Sequence, residues 1–271
     1  MTDQELLSLC TEVRQLVAEV GQFLRKHIQE VQQQDIEVKS RNSLVSYVDK
    51  EAEKRLVAGL QVVLPGSVFL TEEETIAAQS GTWRWIIDPL DGTTNYLHGL
   101  PCYAISVALQ QNERTVIGVV HEVAQDEQFY ACRGQGAHCN GEAIQVSNTP
   151  SLADSLLATG FPYYDFSRMD EYLALFRELI TTTRGIRRFG SAAVDLAYVA
   201  CGRFDGFYEH SLHPWDVAAG AFLVQEAGGR VADFSGGDNY LYGKEMVAAS
   251  QALWPKFMPL VQTHLSGASS V

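Results

Sequence analysis

The sequence has no long uninterrupted apolar run, and its first residues lack the basic and then apolar pattern of a secretory leader. A membrane-spanning helix needs about 20 predominantly apolar residues in a row, and a signal peptide needs a positively charged start before its apolar stretch. We therefore expect a cytoplasmic protein that does not associate with a membrane. With 271 residues, of which 46% are hydrophobic, the chain is long enough to bury a substantial core.

Basic residues are scarce, since 20 Lys and Arg stand against 33 Asp and Glu, which gives a formal net charge of −13. Nucleic-acid surfaces need clustered Lys and Arg to neutralise phosphates. The composition therefore argues against a nucleic-acid partner. It does not exclude a small phosphate ligand, because bound metal ions can mediate between an acidic protein and a phosphate.

Paired cysteines are also lacking, because the five cysteines are odd in number, scattered along the chain and nowhere form CxxC. Neither a disulfide framework nor a zinc site is indicated. We expect reduced residues that pack in the interior. The cysteines are Cys10, Cys102, Cys132, Cys139 and Cys201.

Apolar spacings of three and four predict a long amphipathic helix over residues 5–31. A second helix is predicted to begin after Asp49 as its N-cap and to end at Leu64. Residues 39–43 between them are predicted to form a hairpin or a loop. From residue 67 to 146 the apolar period changes to two, which predicts antiparallel strands.

Beyond Pro150 strand and helix patterns are mixed, which indicates an α/β half of the molecule. A boundary near residues 147–151 divides the chain into an N-terminal α+β half, 1–148, and a C-terminal half, 149–271. No low-complexity linker separates the halves, so we expect an extensive interface between them. The patterns predict, in chain order, one strand and three helices: 156–159, 169–181, 191–201 with Ser191 as the cap, and 216–226.

The sharpest motif is an apolar strand that ends in Asp88-Pro89-Leu90-Asp91-Gly92. Proline fixes the backbone between the two acids, so both carboxylates can be directed toward one point. Two such carboxylates repel each other, and hard divalent cations such as Mg²⁺ prefer these oxygen ligands. The alternative is a strand-ending turn in which Asp and Gly are merely good turn formers.

Other acids follow apolar segments in the same style, namely Glu72 in the run 72–74 and Asp216 after Trp215. Taken alone, the first is a solvated loop and the second complements a helix dipole. Together with the DxxDG motif they indicate one shared metal site. Ser191 opens a helix, where it acts either as a simple cap or as part of an anion site.

These segments resemble the inositol monophosphatase family over nearly the whole chain. The family's two signature motifs match WIIDPLDGTTNY at residues 85–96 and WDVAAGA at 215–221. Further similar stretches lie at 45–50, 69–73, 190–196 and 206–209. The resemblance implies an α+β fold, a layered α-β-α-β-α sandwich of the inositol monophosphatase and fructose-1,6-bisphosphatase type, which usually assembles as a homodimer.

The resemblance also implies a site for two to three Mg²⁺ ions. Glu72 and Asp88, with the Leu90 carbonyl, match the ligands of the first ion. Asp88, Asp91 and Asp216 match those of the second, and a third, weaker ion lies near Glu72. The departures from the family pattern, such as Thr71 before the paired glutamates, remove no ligand.

In the family pattern, Thr93 is hydrogen-bonded to Asp49 and helps Glu72 to orient and deprotonate the attacking water. Backbone N–H groups of Gly92 and Thr93 bind the phosphate. Metal charge then stabilises an in-line displacement without a covalent intermediate.

By the same resemblance, Lys39 lies near the phosphate, and the substrate hydroxyls are bound by Asp91, by the backbone around Ser191 and Ala192, and by Glu209. A carboxylate at position 209 suits a polyol better than a nucleotide base. We therefore predict Mg²⁺-dependent, lithium-sensitive hydrolysis of myo-inositol monophosphate.

Two alternatives remain open. The first is another phosphate ester, such as 3′-phosphoadenosine 5′-phosphate, fructose 1,6-bisphosphate or histidinol phosphate. The second is a non-catalytic role as a partner of the transcription or translation machinery, with which the acidic balance of the chain is compatible.

Overall fold

A computed structural model describes residues 1–28, 36–40, 43–77, 79, 81–161 and 165–266. Its helices are α1 Asp3–His27, α2 Tyr47–Val63, α3 Thr93–Leu97, α4 Met169–Thr182, α5 Ala192–Ala200, α6 Pro214–Glu226 and α7 Trp254–Leu265. Its strands are β1 Ile36–Ser40, β2 Ser43–Ser46, β3 Val68–Thr71, β4 Trp83–Asp91, β5 Ala104–Gln111, β6 Arg114–Glu122, β7 Glu127–Cys132, β8 Ala137–Cys139, β9 Glu142–Ile144, β10 Leu156–Thr159, β11 Gly185–Arg187, β12 Gly206–His210, β13 Arg230–Ala232 and β14 Glu245–Ala249.

The strands of the described residues form two large sheets and one small hairpin. The first sheet has seven strands in the order β3-β4-β5-β6-β7-β8-β9, antiparallel except for the parallel pair β3 and β4. The second has five strands in the order β11-β10-β12-β14-β13, with β10 parallel to both of its neighbours. The hairpin pairs β1 with β2 antiparallel.

Successive side chains of β4 point to opposite faces of the seven-stranded sheet, as they do in any strand. Trp85 and Ile87 pack in one hydrophobic cluster with α1 and α2. Ile86 packs in a second cluster that includes α5 and α6. The sheet is therefore covered on both faces by helices.

The five-stranded sheet is divided in the same way. Ala158 and Phe207 join the cluster of α5 and α6, whereas Leu157 and Tyr208 join a third cluster with α4 and α7. The layers are thus α1 and α2, the first sheet, α5 and α6, the second sheet, and α4 and α7. This confirms the predicted layered α-β-α-β-α sandwich and its α+β class.

Small residues let the central helices approach their neighbours closely. A Cβ added at Gly118 of β6 would lie 3.0 Å from the Ala219 carbonyl oxygen of α6. A Cβ at Gly220 would lie 2.6 Å from the Leu196 side chain of α5. This close packing places the start of α6, with Asp216, beside the end of β4.

The structure corrects two of the predicted helix boundaries. Helix α2 begins at Tyr47, so Asp49 lies in its first turn and is not the N-cap. Helix α6 begins at Pro214, two residues before the predicted start. Asp49 makes a long-range hydrogen bond with Thr93 of α3, whereas Asp216 makes a local one with the His213 N–H.

Other predictions agree with the structure or fall outside its described part. Ser191 is the N-cap of α5, as predicted, and the five cysteines are all free. Helix α1 ends at His27, and the predicted extension to residue 31 reaches into 29–35, outside the described residues. Residues 39–43 belong to the β1–β2 hairpin, apart from 41 and 42, which are not described.

The division into 1–148 and 149–271 stays a prediction. The strands of the first sheet end at Ile144 and those of the second begin at Leu156. Among the described residues, no helix combines the length and the apolar character that crossing a membrane requires.

Candidate metal centre

The end of β4 departs from regular strand pairing. Asp88 is paired with Ser106 and Asp91 with Ala104, so the register shifts between the two aspartates. The Leu90 N–H donates to Asp88 Oδ1 at 2.9 Å, which closes a tight turn within the irregularity. The two carboxylates, which regular alternation would send to opposite faces, are therefore brought close together.

Gly92 ends this segment with a φ of +90°, in the left-handed region that favours glycine. A Cβ at this position would lie 3.0 Å from the Cys102 carbonyl oxygen and 3.3 Å from that of Gly190. Glycine is required here both for the backbone conformation and for the close approach of two other segments.

Three carboxylates converge at this point, because oxygen atoms of Asp88, Asp91 and Asp216 all lie within 4.8 Å of one another. Glu72 lies close enough to hydrogen-bond the Asp88 side chain. These four predicted ligands come from the loop after β3, from β4 and from α6. Leu90, whose carbonyl is also a predicted ligand, lies between two of them in the chain.

The carboxylates of this cluster are difficult to ionise together. Burial raises the pKa of Asp88 and of Asp216 well above 3.8, and the charges of Glu72 and Asp91 raise both values further. Burial also raises the pKa of Asp91 to about 6, against the opposing effect of its hydrogen bonds.

An all-oxygen donor set of acids that repel one another fits a hard divalent cation, which neutralises the carboxylates without requiring protons. The residues present therefore fit Mg²⁺. Their individual roles as ligands stay predictions.

Asp216 is fixed by the helix that carries it. Its Oδ2 accepts a hydrogen bond of 2.6 Å from the His213 N–H, as one half of a capping box at the start of α6. A carboxylate in the first turn of a helix is also favoured by the helix dipole. The capping role and the convergence with the other acids are therefore compatible.

Asp91 is held from the opposite side by the start of α5. Its Oδ2 accepts from Ser191 Oγ and from the Ala193 N–H, both at 2.7 Å. Ser191 Oγ also accepts from the Val194 N–H at 3.3 Å. Ser191 thus caps α5 and positions Asp91, while the predicted contact of the Ser191 and Ala192 backbone with substrate stays a prediction.

Thr93 links the cluster to α2. Its Oγ1 lies 3.0 Å from Asp49 Oδ1 and 2.9 Å from the Leu90 carbonyl oxygen, and its single hydroxyl hydrogen serves one of them at a time. Asp49 is buried, with 1% of its surface exposed. The Thr93–Asp49 pair implied by the family pattern is therefore present in the fold.

Glu209 lies in β12 on the C-terminal side of the site. Burial raises its pKa to about 8, with Arg188 lowering it and Asp91 raising it. Its carboxylate occupies the space over Gly160, where an added Cβ would lie 1.8 Å from Glu209 Oε1. Lys39 lies in β1, but its side chain is outside the described part, so its phosphate contact stays a prediction.

Four residues near the site were missed by sequence reasoning. Arg188 lies close enough to lower the pKa of Asp91 and of Glu209. Asp195 is buried in α5, and burial together with Glu209 raises its pKa well above 3.8. The other two are Gly160 and Glu53. The available signal was spacing, because Glu53 follows Asp49, and Asp195 follows Ser191, by four residues on a helix.

The layered fold and the converging acids define the class of protein. It is an α+β protein with a candidate divalent-cation site where strand and helix ends meet. The model of the inositol monophosphatase family matches residues 6–266. The chain belongs to the inositol monophosphatase family.

Individual relatives carry two kinds of name. A Pseudomonas aeruginosa protein named Nus factor SuhB is 41% identical over 250 residues, which cover 90% of this chain and 92% of that protein. An inositol-1-monophosphatase of Mesorhizobium japonicum is 38% identical over 253 residues, covering 93% and 95%. The solved structure of the extragenic suppressor protein SuhB from Bartonella henselae superposes with a TM-score of 0.88 at 39% identity, covering 93% of this chain and 97% of that one.

Proposed function

We propose that this protein is a Mg²⁺-dependent phosphatase that hydrolyses myo-inositol monophosphate to inositol and phosphate. The observation that carries the proposal is the convergence of Asp88, Asp91 and Asp216 within 4.8 Å, beside the Thr93–Asp49 hydrogen bond. A metal cage alone fits many functions. A hydroxyl held by a buried acid next to that cage supports a hydrolase, because it offers a means to orient a water.

The proposed chemistry assigns a task to each group. When bound, Mg²⁺ supplies the charge that activates a water and stabilises an in-line displacement at phosphorus. Glu72 and Thr93 orient that water, and Glu72 accepts its proton. The N–H groups of Gly92 and Thr93 donate to the phosphate oxygens, with Lys39 nearby. Electrostatic stabilisation of this kind carries most of the catalysis in phosphoryl transfer.

A polyol substrate is supported by the acid on the far side of the site. With a pKa of about 8, the Glu209 side chain is mostly protonated at neutral pH and can donate to a hydroxyl oxygen as well as accept from one. Asp91 and the backbone of Ser191 and Ala192 supply further acceptors and donors. We also propose a homodimer located in the cytoplasm.

The proposal is tested by phosphate release from four substrates, with and without Mg²⁺: myo-inositol 1-phosphate, 3′-phosphoadenosine 5′-phosphate, fructose 1,6-bisphosphate and histidinol phosphate. We expect the highest kcat/KM for the inositol ester, since specificity is expressed in this ratio. Activity should require Mg²⁺ and fall with added LiCl. A higher kcat/KM for another ester would move the assignment to that ester, and no release from any would reject the phosphatase.

Glu209→Ala tests the substrate class. It removes the carboxyl group, and with it both the donor and the acceptor that the substrate hydroxyls would contact. We expect kcat/KM for inositol 1-phosphate to fall relative to that for p-nitrophenyl phosphate, which has no ring hydroxyls. An unchanged ratio between the two substrates would remove Glu209 from substrate recognition.

A second candidate function is a partner of the transcription machinery. It is favoured by one observation, the 41% identity to a relative named Nus factor SuhB. A protein–protein role would survive Asp88→Asn, which disables the proposed chemistry. Pull-down of the transcription complex by both wild type and Asp88→Asn would support it, and recovery by neither would count against it.

A further inference from the structure

Glu53 is a buried acid that belongs to none of the predicted ligands. It lies in α2, and its side chain has no exposed surface. Its Oε2 accepts from the Glu73 N–H at 2.7 Å. Its Oε1 accepts from the Thr75 N–H at 2.8 Å and from Thr75 Oγ1 at 2.6 Å. Three donors of one loop therefore converge on a single carboxylate.

This loop carries Glu72 from the end of β3 into the metal centre. On the sheet side it is fixed by the Glu72 N–H, which donates to the Ile87 carbonyl oxygen of β4 at 3.2 Å. On the helix side it is fixed by Glu53. The backbone of Glu72 is thus held between its own bond to β4 and the bond that its neighbour Glu73 makes to α2.

Two side chains of helix α2 make hydrogen bonds with segments of the site. Asp49 accepts from Thr93, and Glu53, four residues later, accepts from the loop of Glu72. Side chains four residues apart lie on the same face of a helix, one turn from each other. One helical face therefore contacts Thr93 directly and, through Glu73 and Thr75, the loop that carries Glu72.

We propose that Glu53 is a positioning residue that holds the 72–75 loop so that Glu72 reaches the metal centre. The inference rests on the proposed function, in which Glu72 is a metal ligand and the proton acceptor. A carboxylate is suited to this role, because both of its oxygens accept hydrogen bonds and neither donates. Glutamine at this position would direct an NH₂ group at a backbone N–H in either orientation of its amide.

Glu53→Gln is the primary test, and Glu51→Gln is its matched control. Glu51 lies on the exposed side of α2, paired with Arg55 at 2.9 Å. For Glu53→Gln we expect kcat to fall, and the dissociation constant of Mg²⁺ measured by calorimetry to rise, each by about 10–100-fold, as for other groups that orient metal ligands. KM for the substrate should change little. Glu51→Gln should behave as wild type.

A second, less disruptive pair of variants tests the same contact in case Glu53→Gln does not fold. Thr75→Val removes one of the three donors, whereas Thr75→Ser keeps the hydroxyl. We expect a smaller loss of Mg²⁺ affinity in Thr75→Val and wild-type values in Thr75→Ser. In a Glu53→Ala background Thr75→Val should have no further effect, because its partner is already gone.

Amide hydrogen exchange of the metal-free protein separates this inference from the proposed function. Loss of the Glu53 bonds should speed exchange in residues 72–75 and leave α2 itself protected. If wild type releases no phosphate, the phosphatase assignment fails, while exchange and Mg²⁺ calorimetry still decide the role of Glu53. Wild-type loop exchange and wild-type Mg²⁺ affinity in Glu53→Gln would overturn the inference.

Discussion

Buried carboxylates occur in two contrasting settings in this molecule. Asp205, immediately before β12, accepts from Ser147 Oγ at 2.6 Å through one oxygen and from the Leu156 N–H at 2.7 Å through the other. Asp88, at the end of β4, accepts one N–H, from Leu90, and otherwise faces Glu72 and other acids.

The contrast shows which buried carboxylates receive enough hydrogen-bond donors from the protein itself. Both side chains are buried, with exposures of 7% for Asp205 and 1% for Asp88. Burial without compensation is costly for a charge, and hydrogen-bond donors reduce that cost. Asp205 has a donor for each oxygen and joins the segment after β9 to β10 and β12. Asp88 accepts a single N–H and otherwise faces other acids, so this group of carboxylates fits an external cation.

The largest effect is expected for Asp88→Asn. We predict a fall in kcat/KM for inositol 1-phosphate of more than about 100-fold, because loss of groups that merely support a ligand already costs 10–100-fold. Metal-free stability should not fall, because the substitution removes a repelling acid. Phosphate release and thermal unfolding without metal check the two parts. Wild-type activity in Asp88→Asn would end the phosphatase assignment.

Asp205→Asn should show the opposite signature. Replacing one oxygen with an NH₂ group leaves a backbone or hydroxyl donor without an acceptor, so we predict a loss of about 1–3 kcal/mol in the free energy of unfolding. Values of kcat/KM measured well below the melting temperature should be unchanged. The control is Asp154→Asn, which removes an exposed ion pair with Arg184 and should cost no more than about 0.5 kcal/mol.

An equal loss of stability in Asp154→Asn would show that the donors around Asp205 contribute nothing special. A loss of activity in Asp205→Asn, with stability intact, would remove the distinction between the two kinds of buried acid.

A third effect is the pH dependence of stability in the metal-free protein. Burial raises the pKa of Asp91 from 3.8 to about 6 and that of Glu209 from 4.5 to about 8. The folded protein then binds more protons than the unfolded chain between these values, so stability falls as pH rises from about 4 to about 8.

Urea unfolding at a series of pH values, with and without Mg²⁺, checks this dependence. Mg²⁺ should oppose the fall, because the cation replaces the protons. Glu209→Gln should reduce the slope over the whole range from about pH 4.5 to about pH 8. A free energy of unfolding that rises with pH over this range would contradict the raised pKa values of these buried acids.

Much of the site followed from local sequence. The apolar strand ending in Asp88-Pro89-Leu90-Asp91 offered a cation site with a strand-ending turn as the alternative, and the acids at positions 72 and 216 favoured the cation site. The Ser191 cap could likewise be read from a short pattern. These features depend on neighbours in the chain, so the chain order reveals them.

Other features were wrong or missed for one physical reason. Asp49 was assigned as an N-cap because it precedes a helical pattern, and only the family resemblance predicted its hydrogen bond with Thr93, 44 residues away. Glu53 lies in the charged run Lys50–Arg55, which is typical of a solvated helix face, yet it is fully buried. Long-range partners do not alter local patterns.

The sequence by itself determined the strand and helix periods, the acidic motifs and the kind of ion they suit. Only the tertiary structure decided which acids face one another and which face donors. Burial and the number of hydrogen-bond donors around a carboxylate depend on segments far apart in the chain, and these two quantities separate Asp205 from Asp88 and bring Glu53 to the loop of Glu72.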